Sequence, residues 1–175
     1  MDFDRALREL GRFLDERQVP WAVIGGLGLA ALGFPRSTLD LDIVVPAPVQ
    51  GELVAYLERE GFHTLHRSAG YSNHRHDDPM RGRIDVVYVR GQTAEKLFSS
   101  TVEVAGPRQD SLRVPKPEHL IAMKVLAIKN DPERALQDLA DIRLLLGLPG
   151  VDAEEVRATF ARHGLAERFD ELRIR

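Results

Sequence analysis

Asp40 and Asp42 stand one residue apart in "LDLDIVV", and Asp85 stands in "RIDVVYV", each inside a run that is otherwise apolar. A strand alternates its faces with period two, so Leu39, Leu41, Ile43 and Val45 share one face and the two aspartates share the other. Carboxylates placed side by side repel one another unless a cation or an array of donors lies over them. Asp85 repeats the device, facing away from Ile84, Val86 and Tyr88. If the two strands are neighbours, three carboxylates converge on one patch. Such an oxygen-only donor set suits a hard divalent cation, Mg2+ or Mn2+, better than zinc.

The surrounding elements follow from spacing and punctuation. Phe3, Leu7, Leu10 and Leu14 recur at helical intervals over 3–17, with Asp2 or Asp4 suited to cap the start. "WAVIGG" reads as a short strand ending in a tight turn at Gly25 and Gly26, "LGLAALGF" as a helix, and "LDLDIVV" as the second strand. Pro46 and Pro48 open a helix through "GELVAYLEREGF". The stretch from Arg67 to Arg83 is polar and reads as irregular, and "RIDVVYVRG" resumes as a strand. "TAEKLFSS" suits a short helix and "TVEVAG" a strand. The last third is helical: Pro117 fits the first turn of one helix, Asp131-Pro132 opens a second, and Asp152 with Glu155 makes a capping box for a third. The fold class expected is α/β in the mixed α+β sense, a mixed sheet flanked by helices. Residues 1–114 would form the core, and 115–175 a C-terminal helical segment packed on it.

The chain has 175 residues, 43% hydrophobic and 29% charged, with a net charge of -3 and no cysteine. Disulfides, thiolate chemistry and cysteine-bound zinc are therefore excluded. The charged start "MDFDRALREL" lacks a signal-peptide core, and no apolar run approaches the roughly 20 residues of a membrane span. A cytoplasmic protein without membrane attachment is expected.

The stretch from Gly25 to Asp42, with Asp85 beyond it, resembles the nucleotidyltransferase superfamily that includes DNA polymerase beta. "GG…G-F-P-R-S-T-L-D-L-D" and "RALQDLADIRLLL" look like the AbiEii-type and related small bacterial members, over residues 19–146. Gln137 stands where that pattern has a basic residue. The resemblance implies a metal-dependent transfer of a nucleoside monophosphate from a nucleoside triphosphate to an acceptor, with pyrophosphate leaving. It implies that Asp40, Asp42 and Asp85 are catalytic and bind the metal. Gly25 and Gly26 would bring backbone amides to the triphosphate at a helix N-terminus, and Arg36 and Thr38 match the family's R-x-T before the acidic strand. It also implies a toxin-like role with an antitoxin protein as partner.

Lys124 interrupts "LIAMKVLAI", where a lysine either snorkels outward or meets an anion. Beside a phosphate site, the anion is the favoured reading. Asp138 and Asp141 share a helix face, and Arg134 stands four residues before Asp138. The plain reading is an intrahelical ion pair on a solvated face, and the family reading brings this face to the nucleotide with Asp138 orienting Lys124. The segment "HRSAGYSNHRHDDPMRGR" concentrates positive charge, so Arg75 and Arg81 are the candidate contacts to an anionic acceptor, with RNA favoured. His74 and His76 in that segment read as solvated rather than as zinc ligands. Two rivals differ in class. Gly26, Gly28 and Ala31 fit a dinucleotide-binding fingerprint, but the acids come too soon, as a pair, inside the strand. A catalytically inactive nucleotide-binding or protein-interaction module of the same fold is the alternative to the enzyme.

Overall fold

The computed structural model describes residues 1–105 and 111–173, and the chain divides into two compact units, Met1–Pro115 and Lys116–Arg175. The first unit is built on a mixed five-stranded sheet of order β1-β2-β5-β4-β3. Its strands are β1 (Ala22–Val23), β2 (Asp40–Pro46), β3 (Phe62–Arg67), β4 (Tyr71–His76) and β5 (Arg83–Val89). β2 and β5 are parallel and every other pair is antiparallel.

Helices α1 (Phe3–Asp15) and α3 (Gln50–Arg59) form where the spacing predicts them. Asp2 caps α1 by accepting the Arg5 N–H, which satisfies one of the amides left open at a helix start. Leu10, Phe13 and Leu14 of α1 and Leu53, Val54 and Leu57 of α3 are buried, and Phe13 stacks on Tyr56 with ring centroids 4.1 Å apart. Leu10, Leu57, Phe62 and Ile84 border one small gap, so both helices cover the sheet face carrying Ile84. The short α2 (Gly25–Ala31) follows β1, and α4 (Gly91–Ser99) follows β5. A second, two-stranded sheet pairs β6 (Val102–Ala105) with β7 (Ser111–Val114).

The second unit holds α5 (Pro117–Asn130), α6 (Ala135–Leu146), α7 (Ala153–Arg162) and α8 (Ala166–Arg173). Asp152 caps α7 by accepting the Glu154 and Glu155 N–H groups. The reciprocal half of the expected capping box is made differently. Glu155 holds Lys116 at 2.8 Å, and the Asp152 N–H is taken by Glu118 at 2.9 Å.

The polar segment 67–83 corrects the sequence reading, because its middle, Tyr71–His76, is a regular strand. β4 is a full inner strand of the sheet, and its core-facing positions are filled by Ser72 and His74, both fully buried. No hydrophobic alternation marks it, since hydrogen bonds satisfy these side chains instead. Thr64 donates to Glu58 at 2.7 Å, and its oxygen lies 3.1 Å from His74 Nδ1. His74 Nε2 lies 2.7 Å from Ser72 Oγ, which lies 2.7 Å from the Tyr88 hydroxyl. The threonine has one proton and directs it to a carboxylate, so His74 donates from Nδ1 and accepts from Ser72 at Nε2. His74 is thus a neutral core residue, not a solvated one.

Burial holds the His74 pKa below its usual value, opposed by Glu58 and Asp85 and assisted by Arg67. The folded protein therefore keeps this ring neutral where the unfolded chain takes up a proton, near pH 6.5. Stability should fall as pH drops below about 6.5. Denaturant titrations at pH 7.5 and 5.5 check this, and the loss between the two should be smaller in His74→Leu than in the wild type.

Candidate active site

The register of the central strands decides which side chains meet. Asp42 is the direct partner of Asp85 and Asp40 that of Arg83 across β2 and β5. On the other side of β5, Asn73 faces Asp85 and Arg75 faces Arg83, and β3 adds His66 beside Asn73 and His63 beside Arg75. Cross-strand partners share a face. Two rows therefore run over the sheet: Asp42, Asp85, Asn73 and His66, and beside it Asp40, Arg83, Arg75 and His63. Asp40, Asp42 and Asp85 lie on one face, opposite the face that α1 and α3 cover.

Adjacent strands lie about 4.8 Å apart, so Asp42 and Asp85 are like charges set directly opposite, an unfavourable pair. The neighbours of Asp85 offset this. Arg83 grips it with two bonds, Nε to Oδ1 at 3.1 Å and Nη2 to Oδ2 at 2.9 Å. The same guanidinium stands 3.9 Å from Asp40 Oδ2. Asn73 donates its amide to Asp85 Oδ1 as well. These bonds, Asp85 first, push the Arg83 pKa further up. Burial and then the Asp85 charge raise the Tyr71 phenol.

The glycine turn is fitted to the acidic strand. Gly25 has φ +60°, and a Cβ there would run into the Asp42 carboxylate. A Cβ on Gly26 would come within 2.7 Å of Thr38 Cβ. Ile24 donates its N–H to the Asp42 carbonyl at 3.0 Å, which fixes the turn against β2. Thr38 donates its hydroxyl to the Asp40 carbonyl at 3.1 Å, and Arg36 lies half-buried in the loop before it.

Three carboxylates on one face, with no nitrogen or sulfur donor among them, fit Mg2+ or Mn2+ in chemistry. Among the described residues, no three His, Asp or Glu side chains are grouped closely enough to hold a metal as they stand. The Asp85 oxygens are turned to Arg83 and Asn73. The donor set is present, and its third member is engaged elsewhere.

The basic residues separate. Arg75 is exposed and borders an open cleft with Asp40, Arg83 and the 78% exposed Leu39. Arg81 turns inward instead. It donates to Glu9 at 2.7 Å and to the Glu60 carbonyl at 2.8 Å, and its guanidinium lies 5.2 Å from the Phe62 ring centroid. As placed, Arg81 holds α1 and α3 to the sheet rather than standing open to an acceptor.

In the second unit, Lys124 does meet an anion, and the protein supplies it. Its ammonium donates to Asp138 at 2.8 Å and to Asp141 at 2.6 Å. Both aspartates are buried, at 2% and 4% exposure, which corrects the picture of a solvated face. The other Asp138 oxygen has no hydrogen bond and faces Arg134 Nε at 3.5 Å.

Asn73 and Arg83 are the site residues that sequence reasoning missed. Arg83 had a signal, since residues two apart on a strand share a face. Asn73 had none, because only the β4–β5 register brings it to Asp85.

No family model matches the chain, and no curated protein matches it. Solved structures do. The structure of ANT(2'')-Ia in complex with adenylyl-2''-tobramycin is similar at a TM-score of 0.68 and 19% identity, over 94% of this chain and 98% of that one. LnuA, a lincosamide antibiotic adenylyltransferase with lincomycin bound, is similar at 0.58 and 15%, over 82% and 96%. An antigenic nucleotidyltransferase-like protein from Paracoccidioides brasiliensis is similar at 0.57 and 16%, over 97% and 92%.

Two substitutions test these placements. Gly25→Ala combines a left-handed backbone cost of about 1–2 kcal/mol with a collision at Asp42, so it should destabilise the first unit and move Asp42. Thermal unfolding and a crystal structure of the variant check this. Lys124→Met removes the ammonium that two buried carboxylates share, with Arg134 still 3.5 Å from Asp138, and should cost about 3 kcal/mol, read by denaturant unfolding. By its likeness to these solved structures, the chain has the nucleotidyltransferase fold.

Proposed function

We propose that the chain is a metal-dependent nucleotidyltransferase, moving a nucleoside monophosphate from a nucleoside triphosphate to an acceptor hydroxyl. The observation that carries this reading is the shared face of Asp40, Asp42 and Asp85, with the Gly25 turn pressed against Asp42. Asp40 and Asp42 would hold Mg2+ or Mn2+, and Asp85 would complete the donor set. When bound, the cation would neutralise charge developing on the transferred phosphate. The chain's own groups do the rest. Gly25 and Gly26, as the resemblance implies, would bring backbone amides to the triphosphate. Thr38 and the Ile24 amide hold the Asp40 and Asp42 backbone in place. Asp85, as the resemblance implies, would also help to activate the acceptor hydroxyl. Lys124 is held by Asp138 and Asp141 and enters the proposal with them as a structural group.

The acceptor reading follows the arginines. With Arg81 tied to Glu9 and Glu60, Arg75 is left as the exposed guanidinium of the candidate pair, and in the cleft beside it Asp40 and Asp77 offset Arg75 and Arg83, leaving no excess of positive charge. This balance favours a small hydroxyl compound over RNA, whose phosphates would meet both carboxylates. ANT(2'')-Ia and LnuA, with their bound antibiotic molecules, are similar in fold and consistent with a small acceptor. RNA is the second reading, carried by Arg75. A toxin role with an antitoxin partner rests on the sequence resemblance alone and forms no part of the proposal.

Each of the four nucleoside triphosphates, labelled at the α-phosphate, should be incubated with Mg2+, the protein, and either total RNA or the small-molecule fraction of a cell extract. Label should pass to a small compound. Asp42→Asn should lower transfer more than about 100-fold by removing a metal ligand, while the metal-free protein keeps or gains stability because a like-charge pair is gone. Transfer that survives in Asp42→Asn would contradict the mechanism. Nucleotide bound without Mg2+ and never transferred would favour the inactive binding module.

A further inference from the structure

We propose that Arg83 is an internal counter-ion that holds Asp85 while the site is metal-free, and that it must let go before the three carboxylates can ligate a cation together. The inference rests on the metal-dependent reading above. It identifies a positioning residue that acts on the third carboxylate.

Four observations carry it. The Arg83 fork occupies both Asp85 oxygens, and the Asn73 amide adds a further bond to Oδ1. The same guanidinium leans toward Asp40 at 3.9 Å. Its Nε therefore stands within 4 Å of both Asp85 and Asp40, where its charge would oppose a cation held by either. As the side chains stand, no three-ligand group exists among the described residues. Finally, the exposure of the pair is one-sided. The Asp85 side chain is 11% exposed and Arg83 is 42% exposed, so the arginine is the partner with solvent to move into.

A cation held by Asp40 and Asp42 can be accommodated with Arg83 in place. One that also takes Asp85 competes for the same oxygens and repels the guanidinium at close range. Metal binding at full strength is thus coupled to release of Arg83. The bidentate bond is a charge-assisted one in a partly buried setting, which makes the competition substantial.

The test uses the whole chain with Mn2+ alone as probe, free Mn2+ being counted by electron paramagnetic resonance. Arg83→Met keeps most of the stem's length and removes the charge. It should bind Mn2+ roughly tenfold or more tightly than the wild type, in the range that changes around metal ligands produce. The gain should vanish in Arg83→Met, Asp85→Asn. Equal or weaker binding in Arg83→Met, with Asp42→Asn still weakening binding, would overturn the inference and leave the metal reading standing. If neither protein binds Mn2+ and Asp42→Asn changes nothing, the metal reading itself fails and the inference with it. Should Arg83→Met not fold, the wild type decides through the Arg83 Nε–H resonance, assigned by its loss in Arg83→Lys. That resonance should shift as Mg2+ saturates the site, and an unmoved resonance would overturn the inference.

Discussion

Asp42 lies directly across from Asp85 on neighbouring parallel strands, and much of the first unit is arranged so that this juxtaposition can exist. Parallel pairing requires a crossover between β2 and β5, which here consists of α3 and the β3–β4 hairpin. The crossover does more than connect. It returns β4 to the far side of β5, where Asn73 reaches Asp85. On the near side, Ile24 anchors the Asp42 backbone and Gly25 passes the carboxylate with no side chain between them. The acidic patch is thus held by backbone on one flank and by polar side chains on the other. Its repulsion is answered locally by Arg83.

The same solution to buried charge recurs away from this patch. In the second unit, Lys124 bridges Asp138 and Asp141 between α5 and α6. In the first, Arg81 bridges Glu9 of α1 and the Glu60 end of α3. Such pairs seldom raise stability above that of an apolar contact, but removing one partner is costly because it strands the other. Of the two arginines that sequence alone offers to an incoming anion, Arg81 already has protein partners, and so does neighbouring Arg83. That commitment is why the segment's positive charge in the sequence overstates what the surface presents.

Much of this was legible before any coordinates. The helices with clear apolar spacing and caps, the strand of Asp40 and Asp42, and the strand of Asp85 all stand where period and punctuation place them. β3 and β4 were not legible. Their inward positions carry Thr64, His74 and Ser72, whose burial depends on partners contributed by Glu58 and Tyr88 from elsewhere in the chain. Periodicity detects apolar faces, and this face is polar and satisfied. The common face of the three acids could be anticipated because strand alternation fixes facing. The hold of Arg83 and Asn73 on Asp85 could not, since it depends on register and rotamer. For the same reason Lys124 could be recognised as needing an anion, whereas the identity of that anion, Asp138 and Asp141, required the packing of α5 on α6.

The proposal stands or falls on whether the β2–β5 face holds a divalent cation for nucleotidyl transfer. A crystal structure of the protein with Mn2+ and a non-hydrolysable triphosphate analogue tests it most directly, through the anomalous signal of the metal. The account predicts a Mn2+ peak about 2.1 Å from carboxylate oxygens of Asp40 and Asp42, close to the distance expected for Mg2+, with the analogue's phosphates at the Gly25–Gly26 turn. Mn2+ and phosphates bound away from this face, with Asp40 and Asp42 ligating nothing, would contradict it.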